Sequence, residues 1–337
     1  MPLLSRSSMT ALPPRRRAPL ADSVAVPLAL AMLAAAPGAA RADAAQPRLV
    51  VGFAPGGGLD GIARAVAQEM GKALGRPVVV ENRPGAGGSL AAQFVAASPP
   101  DGSTMLFADT TLLTSPHVLK GAKYDAQKSF APVMRLAEVP LILAANPTVP
   151  AGTPQALVDA IKASPGKYAF ATAGIATMHH FGGEMFKQAA GVDMVHVAYK
   201  GGAPAMQDLI GGQVPLAIAS LPAVAPAAKS QRVRMIATLS GQRLPAYPDL
   251  PALSETLPGF DVSLAVFVLA PAGTPGTITG EMAAALRAAM ATPELRAAFE
   301  SQGAVAAPLD AASLGAWMRA EEARWATLIE KKSITLE

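Results

Sequence analysis

The same five residues, Pro-Ala-Gly-Thr-Pro, close two separate β-rich stretches of this 337-residue chain, at 150–154 and at 271–275. The stretches are "APVMRLAEVPLILAANP" and "FDVSLAVFVLAP". After each, a threonine (Thr153 or Thr274) suits a helix N-cap and a proline (Pro154 or Pro275) suits the first helical position. Between the two exits lies a block with its own strand–helix alternation: "YAFATAG", a helix near 180–190, "VDMVHVAY", a helix near 203–211, "VPLAIAS" and "VRMIATL". Two similar exits around an independent αβ block imply a chain that leaves one lobe, builds a second and returns. The crossings are expected near 140–146 and 260–268. Lobe 1 would then comprise 43–143 and 264–337, with lobe 2, 144–263, inserted into it. "RLPAYPDLPALSETLPGF" reads as a Pro-rich surface loop before the return crossing.

The first lobe opens with "RLVVGF" as a buried strand, followed by Ile62, Val66, Met70 and Leu74 at helical spacing. "PVVVE" and "STMLFAD" are further strands, with the Gly-rich "NRPGAGGS" and a helix over 89–97 between them. This βαβαβ order predicts a parallel sheet with helices on its faces. In the first turn, Gly56, Gly58 and Gly61 spell G-x-G-x-x-G, and Glu81 ends the next strand, which together match the dinucleotide-binding fingerprint. The same physics serves any anion: glycines bring backbone amides close, and a helix N-terminus offers free N–H groups and a positive dipole end. Asp60 is placed to N-cap that helix.

The N-terminus argues against a nicotinamide enzyme. Arg15, Arg16 and Arg17 precede an apolar run from Leu20 to Ala36, and Ala40 and Ala42 form an A-x-A site. Residues 1–42 therefore read as a secretory signal peptide, with the protein destined for the periplasm, away from the NAD pool. Removing 1–42 leaves 23 basic and 23 acidic residues, so the high isoelectric point belongs to the signal and nucleic-acid binding loses its support. The chain has no cysteine, so packing alone must hold an exported fold.

Side-chain chemistry is sparse. His180 and Glu184 stand at i, i+4, but no third metal ligand accompanies them. No G-x-S-x-G elbow and no paired carboxylates occur. Neither metal, cofactor nor catalytic residue is expected. Asp60 and Asp109 sit at strand-to-helix junctions, where capping is the default role. Leu314, Trp317, Met318, Trp325 and Leu328 mark a core-facing stripe on the last helix. What recurs is small residues after strands: 55–58, 85–89, 110–111, 172–177 and 199–203. In an open α/β sheet, ligands bind at those ends.

Several longer motifs carry a resemblance: "APGGGLDGIAR", "GRPVVVENRPGAGGS", "PDGSTMLF", "HHFGGEMFKQAAGVDMVHVAYKGGAPAMQDLIGGQV", "LPGFDV" and "APAGTP". Over the whole chain after the signal, the sequence resembles the tripartite tricarboxylate transporter substrate-binding proteins, the Bug family of periplasmic receptors. The resemblance implies an α/β, type II periplasmic binding fold, two lobes joined by crossing hinge strands that close over a small carboxylate. It implies a monomeric receptor serving inner-membrane transporter subunits or a sensor; an exported enzyme on the same fold is the alternative. The ligand would be held mainly by backbone amides and bridging waters. The residues implied are Ala54, Pro55, Gly56, Gly57, Gly58 and Leu59 in the first loop and Asp109 and Thr110 after the third strand. In the second lobe they are Gly174, Ala176, Thr177 and His180, then Tyr199, Gly201, Gly202 and Pro204, then Ala219 and Ser220. Tyr199 offers either a wall or its hydroxyl. Leu59, Ala176, Ala219 and Ala265 depart from the family's usual polar, glycine or tryptophan residues. A less polar distal pocket is therefore expected, suited to an aromatic or otherwise apolar carboxylate.

Overall fold

The computed structural model describes residues 46–331; the segment read as an export signal lies outside them. In chain order the elements are β1 (Arg48–Val51), α1 (Gly58–Leu74), β2 (Val79–Asn82), α2 (Ser89–Ala96), β3 (Thr104–Asp109), α3 (Thr111–Val118) and β4 (Phe130–Ala145). Then follow α4 (Pro154–Lys162), β5 (Ala169–Thr172), α5 (Met178–Ala190), β6 (Val195–Ala198), α6 (Gly202–Ile210), β7 (Leu216–Ser220), α7 (Leu221–Lys229) and β8 (Arg234–Thr238). The chain closes with β9 (Ser263–Pro271), α8 (Gly276–Ala291), α9 (Pro293–Gln302), β10 (Val305–Leu309) and α10 (Ala311–Lys331).

Strands run in the order β2-β1-β3-β9-β4-β7-β5-β6, with β10 and β8 also paired to β4. β4 is the long element that joins the two halves. From Phe130 to Pro140 it pairs with β9, and from Leu141 onward with β7 and, on its other side, β8. The second crossing is adjacent: the Val262 amide donates to Leu239 O, and the Leu239 amide to Leu141 O, each at 2.8 Å. The expected parallel order holds for β2-β1-β3 and for β6-β5-β7. The crossing strands instead run antiparallel to their neighbours, because a chain that leaves a sheet and returns must reverse direction.

The two pentapeptides behave differently. Thr153 caps α4, accepting the Ala156 N–H at 3.2 Å, with Pro154 at the first helical position as expected. Thr274 does not cap α8. Its hydroxyl turns back to donate to Pro271 O at 2.7 Å, so Pro275 becomes the cap residue and the helix starts at Gly276. On α10, Leu314, Met318, Trp325 and Ile329 are buried, whereas Trp317 and Leu328 are half-buried. Trp317 packs edge-on against Phe267 with Arg135 over its face. The Pro-rich segment after Arg243 is pinned down by two Arg243–Glu255 hydrogen bonds of 2.7 and 2.8 Å and by the buried Leu250, Leu253 and Phe260. No helix among the described residues is long and apolar enough to cross a membrane.

Candidate functional site

After β1 the backbone turns through Gly52–Gly57, and α1 begins at Gly58 with Gly57 as its cap residue. Asp60 is therefore not the N-cap that the sequence suggests but the third helical residue. From there it reaches back to accept the Gly56 N–H at 3.0 Å, and it also takes Arg64 Nε and Asn82 Nδ2, each at 2.8 Å. Asn82 Nδ2 donates to Phe53 O as well, at 3.0 Å. Burial pushes the Asp60 carboxyl up, but hydrogen bonds from Arg64, Gly56 and Asn82 outweigh it and hold the group below the usual carboxylate range. Asp60 thus fixes the glycine turn as a formal anion inside its own set of donors. Glu81 pairs with Arg48 and Arg83 at 3.1 and 2.6 Å and takes no part in the turn.

The second half supplies a matching turn after β5. Thr177 caps α5 by accepting the His180 N–H at 3.3 Å and donates to Gly174 O at 2.7 Å. Ala176 sits at φ 62°, in the left-handed region, and its amide donates to His180 Nδ1 at 3.4 Å. The His180 ring stacks on His196 with centroids 3.6 Å apart, and His196 stacks in turn on Phe170. His196 Nε2 lies 2.6 Å from Thr172 Oγ1. Burial, then the neighbouring His196 and Lys187, lower His180 to about 3. Burial and Lys187 lower His196 to about 4, and burial alone lowers His179 to about 4. These rings are neutral at neutral pH, so they buttress the turn from behind rather than offer it a cation. His180 Nε2 stands 3.8 Å from Glu184 Oε1, and no group of three metal-capable side chains exists among the described residues.

The loops of the two halves meet closely. A Cβ on Gly58 would lie 2.6 Å from Ser220 Oγ, and one on Gly201 would lie 3.0 Å from the Ala54 amide nitrogen. Only glycine permits either approach. The Met178 amide donates to Thr111 Oγ1 at 3.3 Å across the same interface. The N-termini of α1, α6 and α7 converge here, at Gly58, Gly202 and Leu221, with Pro204 in the first turn of α6. Each such end stabilises a nearby anion by about 0.3–1 kcal/mol when exposed and up to ~2 kcal/mol when partly buried.

Beside this convergence lies a cavity of about 200 Å³ walled by both halves. Gly52, Phe53 and Gly85–Gly88 face Ala173–Ile175 and Ala198–Lys200 across it. Of the residues expected from sequence, Gly174 and Tyr199 line it. Ala54, Gly57, Gly58, Gly201, Gly202 and Ser220 meet at the convergence, with Pro55 and Gly56 at its exposed rim. Tyr199 presents its ring, because its hydroxyl is given to Asp208 Oδ2 at 2.5 Å; burial and that carboxylate push it up to about 12. Leu59 and Ala219 are buried in apolar clusters, since the periodicity of α1 and the alternation of β7 turn them inward. Thr110 exchanges two hydrogen bonds with Ala265, at 2.9 and 3.1 Å, and both border a separate cleft of about 550 Å³ along the crossing strands. Asp109 faces a small chamber behind the first wall. Ile175 and Lys200 lie within the small-residue runs 172–177 and 199–203 but were not singled out from sequence, and Phe53 lies just before the first loop. Lys200 is exposed at the cavity, and its position between Tyr199 and Gly201 was the available signal.

The sequence model for "Tripartite tricarboxylate transporter family receptor" matches residues 62–334. The chain belongs to this family. A UPF0065 protein of Bordetella bronchiseptica is 36% identical over 288 residues, covering 85% of each chain. Protein BugT of Bordetella pertussis is 32% identical over 307 residues, covering 90% of this chain and 94% of BugT. Among solved structures, the periplasmic binding protein BugD superposes with a TM-score of 0.84 at 32% identity, over 87% of this chain and 99% of its own. An R. palustris protein solved with adipate gives 0.83 at 28% identity, over 87% and 99%. MatC of Rhodopseudomonas palustris, with bound malate, gives 0.80 at 29%, over 85% and 99%. The receptor therefore has the two-lobe periplasmic binding fold, and its family and structural neighbours are binding proteins rather than enzymes.

Proposed function

We propose that this receptor captures a small carboxylate between lobe 1, residues 43–143 and 264–337, and lobe 2, residues 144–263. The observation that carries the reading is the meeting of three helix N-termini from both lobes beside one cavity. A carboxylate there would take the backbone N–H groups of Ala54, Gly57 and Gly58 and of Ile175, because Gly56, Gly174, Ala176 and Thr177 donate within their own turns, with the Lys200 ammonium at the mouth. Only a closed arrangement lets both sets of amides reach one ligand, so ligand binding favours closure. Malate and adipate in the related structures are consistent with this chemistry.

The remainder of the ligand would meet Phe53, Ile175 and the face of Tyr199. An aromatic or otherwise apolar carboxylate suits those walls. Leu59 and Ala219 are not among the residues that wall this cavity, so its apolar character comes from Phe53, Ile175 and Tyr199. Residues 1–42 would direct export to the periplasm, and the closed lobes would be read by the transporter's membrane subunits.

Native mass spectrometry of the purified protein, followed by a thermal-shift panel, tests this. The panel contains benzoate, phenylacetate, adipate, malate and citrate. A ligand at 100 times its Kd stabilises the folded state by about 2.7 kcal/mol. Stabilisation by the aromatic acids is expected. Tighter binding of malate or citrate would reject the apolar assignment, and a flat panel with no co-purified carboxylate would reject the receptor reading of this cavity.

A further inference from the structure

Gly52, Phe53, Gly87 and Gly88 separate two spaces. On one side is the cavity between the lobes; on the other is a chamber of about 20 Å³ that Asp109 and Tyr124 also line. Asp109 Oδ1 accepts the Thr111 N–H at 2.7 Å, but Oδ2 has no hydrogen-bond partner. The hydroxyls of Ser89 and Ser115 are likewise unpartnered. All three side chains are almost wholly enclosed, with 3%, 1% and 0% of their residues exposed. Tyr124 donates its hydroxyl to Leu112 O at 3.1 Å, which leaves the phenol oxygen free to accept. Ser89 and Ser115 sit beside that oxygen without meeting it in full hydrogen-bond geometry.

Buried polar groups in native proteins are paired, with protein or with ordered water. A chamber holds a water when it offers about 10–15 Å³ or more and two to four polar partners. This one meets both requirements. We propose that the chamber is a binding site for one water molecule, held by a neutral Asp109 carboxyl that donates from Oδ2. The water in turn donates to the phenol oxygen of Tyr124, the other polar side chain that lines the chamber. The site braces the thin glycine wall from behind, so the shape of the ligand cavity depends on the protonation of Asp109.

The electrostatic surroundings agree. Burial pushes Asp109 up to about 6, against the opposing hydrogen bonds of Thr111, and no cation is among the causes. Burial pushes Tyr124 up to about 12, so the phenol stays neutral. On the packed elements, His117 of α3 pairs with Glu322 of α10 at 3.5 Å, and Glu322 acts on Tyr124. α2 carries no titratable residue.

Two measurements on the full chain decide the matter. A high-resolution crystal structure at pH 5 should contain one water within hydrogen-bond distance of Asp109 and Tyr124; a dry chamber would overturn the proposal. Thermal unfolding from pH 5 to 8 should show the wild type losing melting temperature, relative to Asp109→Asn, as the pH rises through 6. Parallel profiles would overturn it. If Asp109→Asn does not fold, hydrogen exchange of the Gly87 and Gly88 amides in the wild type replaces that comparison. After correction for intrinsic rates, protection should fall above pH 6, and pH-independent protection would overturn the proposal.

Discussion

Gly58 is the position where one methyl group separates closing from folding. In this structure a Cβ there would lie 2.6 Å from Ser220 Oγ, 3.0 Å from Pro222 Cβ and 3.2 Å from the Ala223 amide nitrogen, contacts that the proposed closure would form. The serine hydroxyl can rotate away; the proline ring and the backbone amide, at the start of α7, cannot. Inserting a methyl into such a contact costs about 1–3 kcal/mol. That cost falls on the closed state alone, because all three neighbours belong to the other half. In the open state Gly58 is the first residue of α1, where alanine is the better helix former by up to about 1 kcal/mol. Gly58→Ala should therefore keep or raise the melting temperature without ligand while weakening ligand affinity roughly 5- to 150-fold. Calorimetry with the tightest carboxylate of the panel gives the affinity, and small-angle scattering at saturating ligand gives the compaction. A variant that binds and compacts like the wild type would refute the reasoning that this contact forms on closure.

Other perturbations test separate links. Ala176 holds a left-handed φ that alanine adopts at a cost of roughly 1–2 kcal/mol; Ala176→Gly should stabilise the protein by about 0.5–1 kcal/mol after the entropy of glycine is offset, seen as a higher melting temperature. His179, His180 and His196 have folded values of about 4, 3 and 4, against 6.5 in an unfolded chain. Between pH 6.5 and 4 the unfolded state therefore binds more protons, and stability should fall as the pH drops through that window. His196→Phe should flatten the acid limb of a melting-temperature profile. Tyr199→Phe removes the hydrogen bond to Asp208 but keeps the ring, so it should cost about 1 kcal/mol of stability with little loss of affinity, whereas Tyr199→Ala should lose both. An anion held across the glycine wall favours neutral Asp109, so carboxylate affinity should strengthen from pH 7.5 to 5.5 in the wild type and not in Asp109→Asn.

Much of the architecture was legible because it is local. The alternation of apolar runs with helical spacing gave β1, α1 and β5–β8, and Thr153-Pro154 marked the start of α4. The identical Thr274-Pro275 failed as a cap signal because the hydroxyl found a nearer carbonyl in its own turn. The helices α3 and α7 were not read. Each carries an internal proline, Pro116 or Pro226, which argues against helix until burial of Leu112 and Leu113, or of Leu221 and Val224, outweighs it. At the site, glycine-rich turns announced where backbone could approach an anion. Which side chains wall the cavity was not local information: Phe53 follows β1, Ile175 follows β5 and Lys200 follows β6, and the first loop meets the other two only across more than a hundred residues of sequence. Leu59 and Ala219, which depart from the family pattern, are buried and stand outside the lining of this cavity, so a departure in sequence does not by itself say what a side chain meets.

The central claim, that one carboxylate is gripped from both lobes at once, is tested most directly by amide hydrogen exchange with and without the best ligand of the panel. The account predicts simultaneous new protection of the Ala54, Gly57 and Gly58 amides and of the Ile175 amide, together with the first turn of α6. Protection of one loop alone, or of neither under saturating ligand, would contradict it.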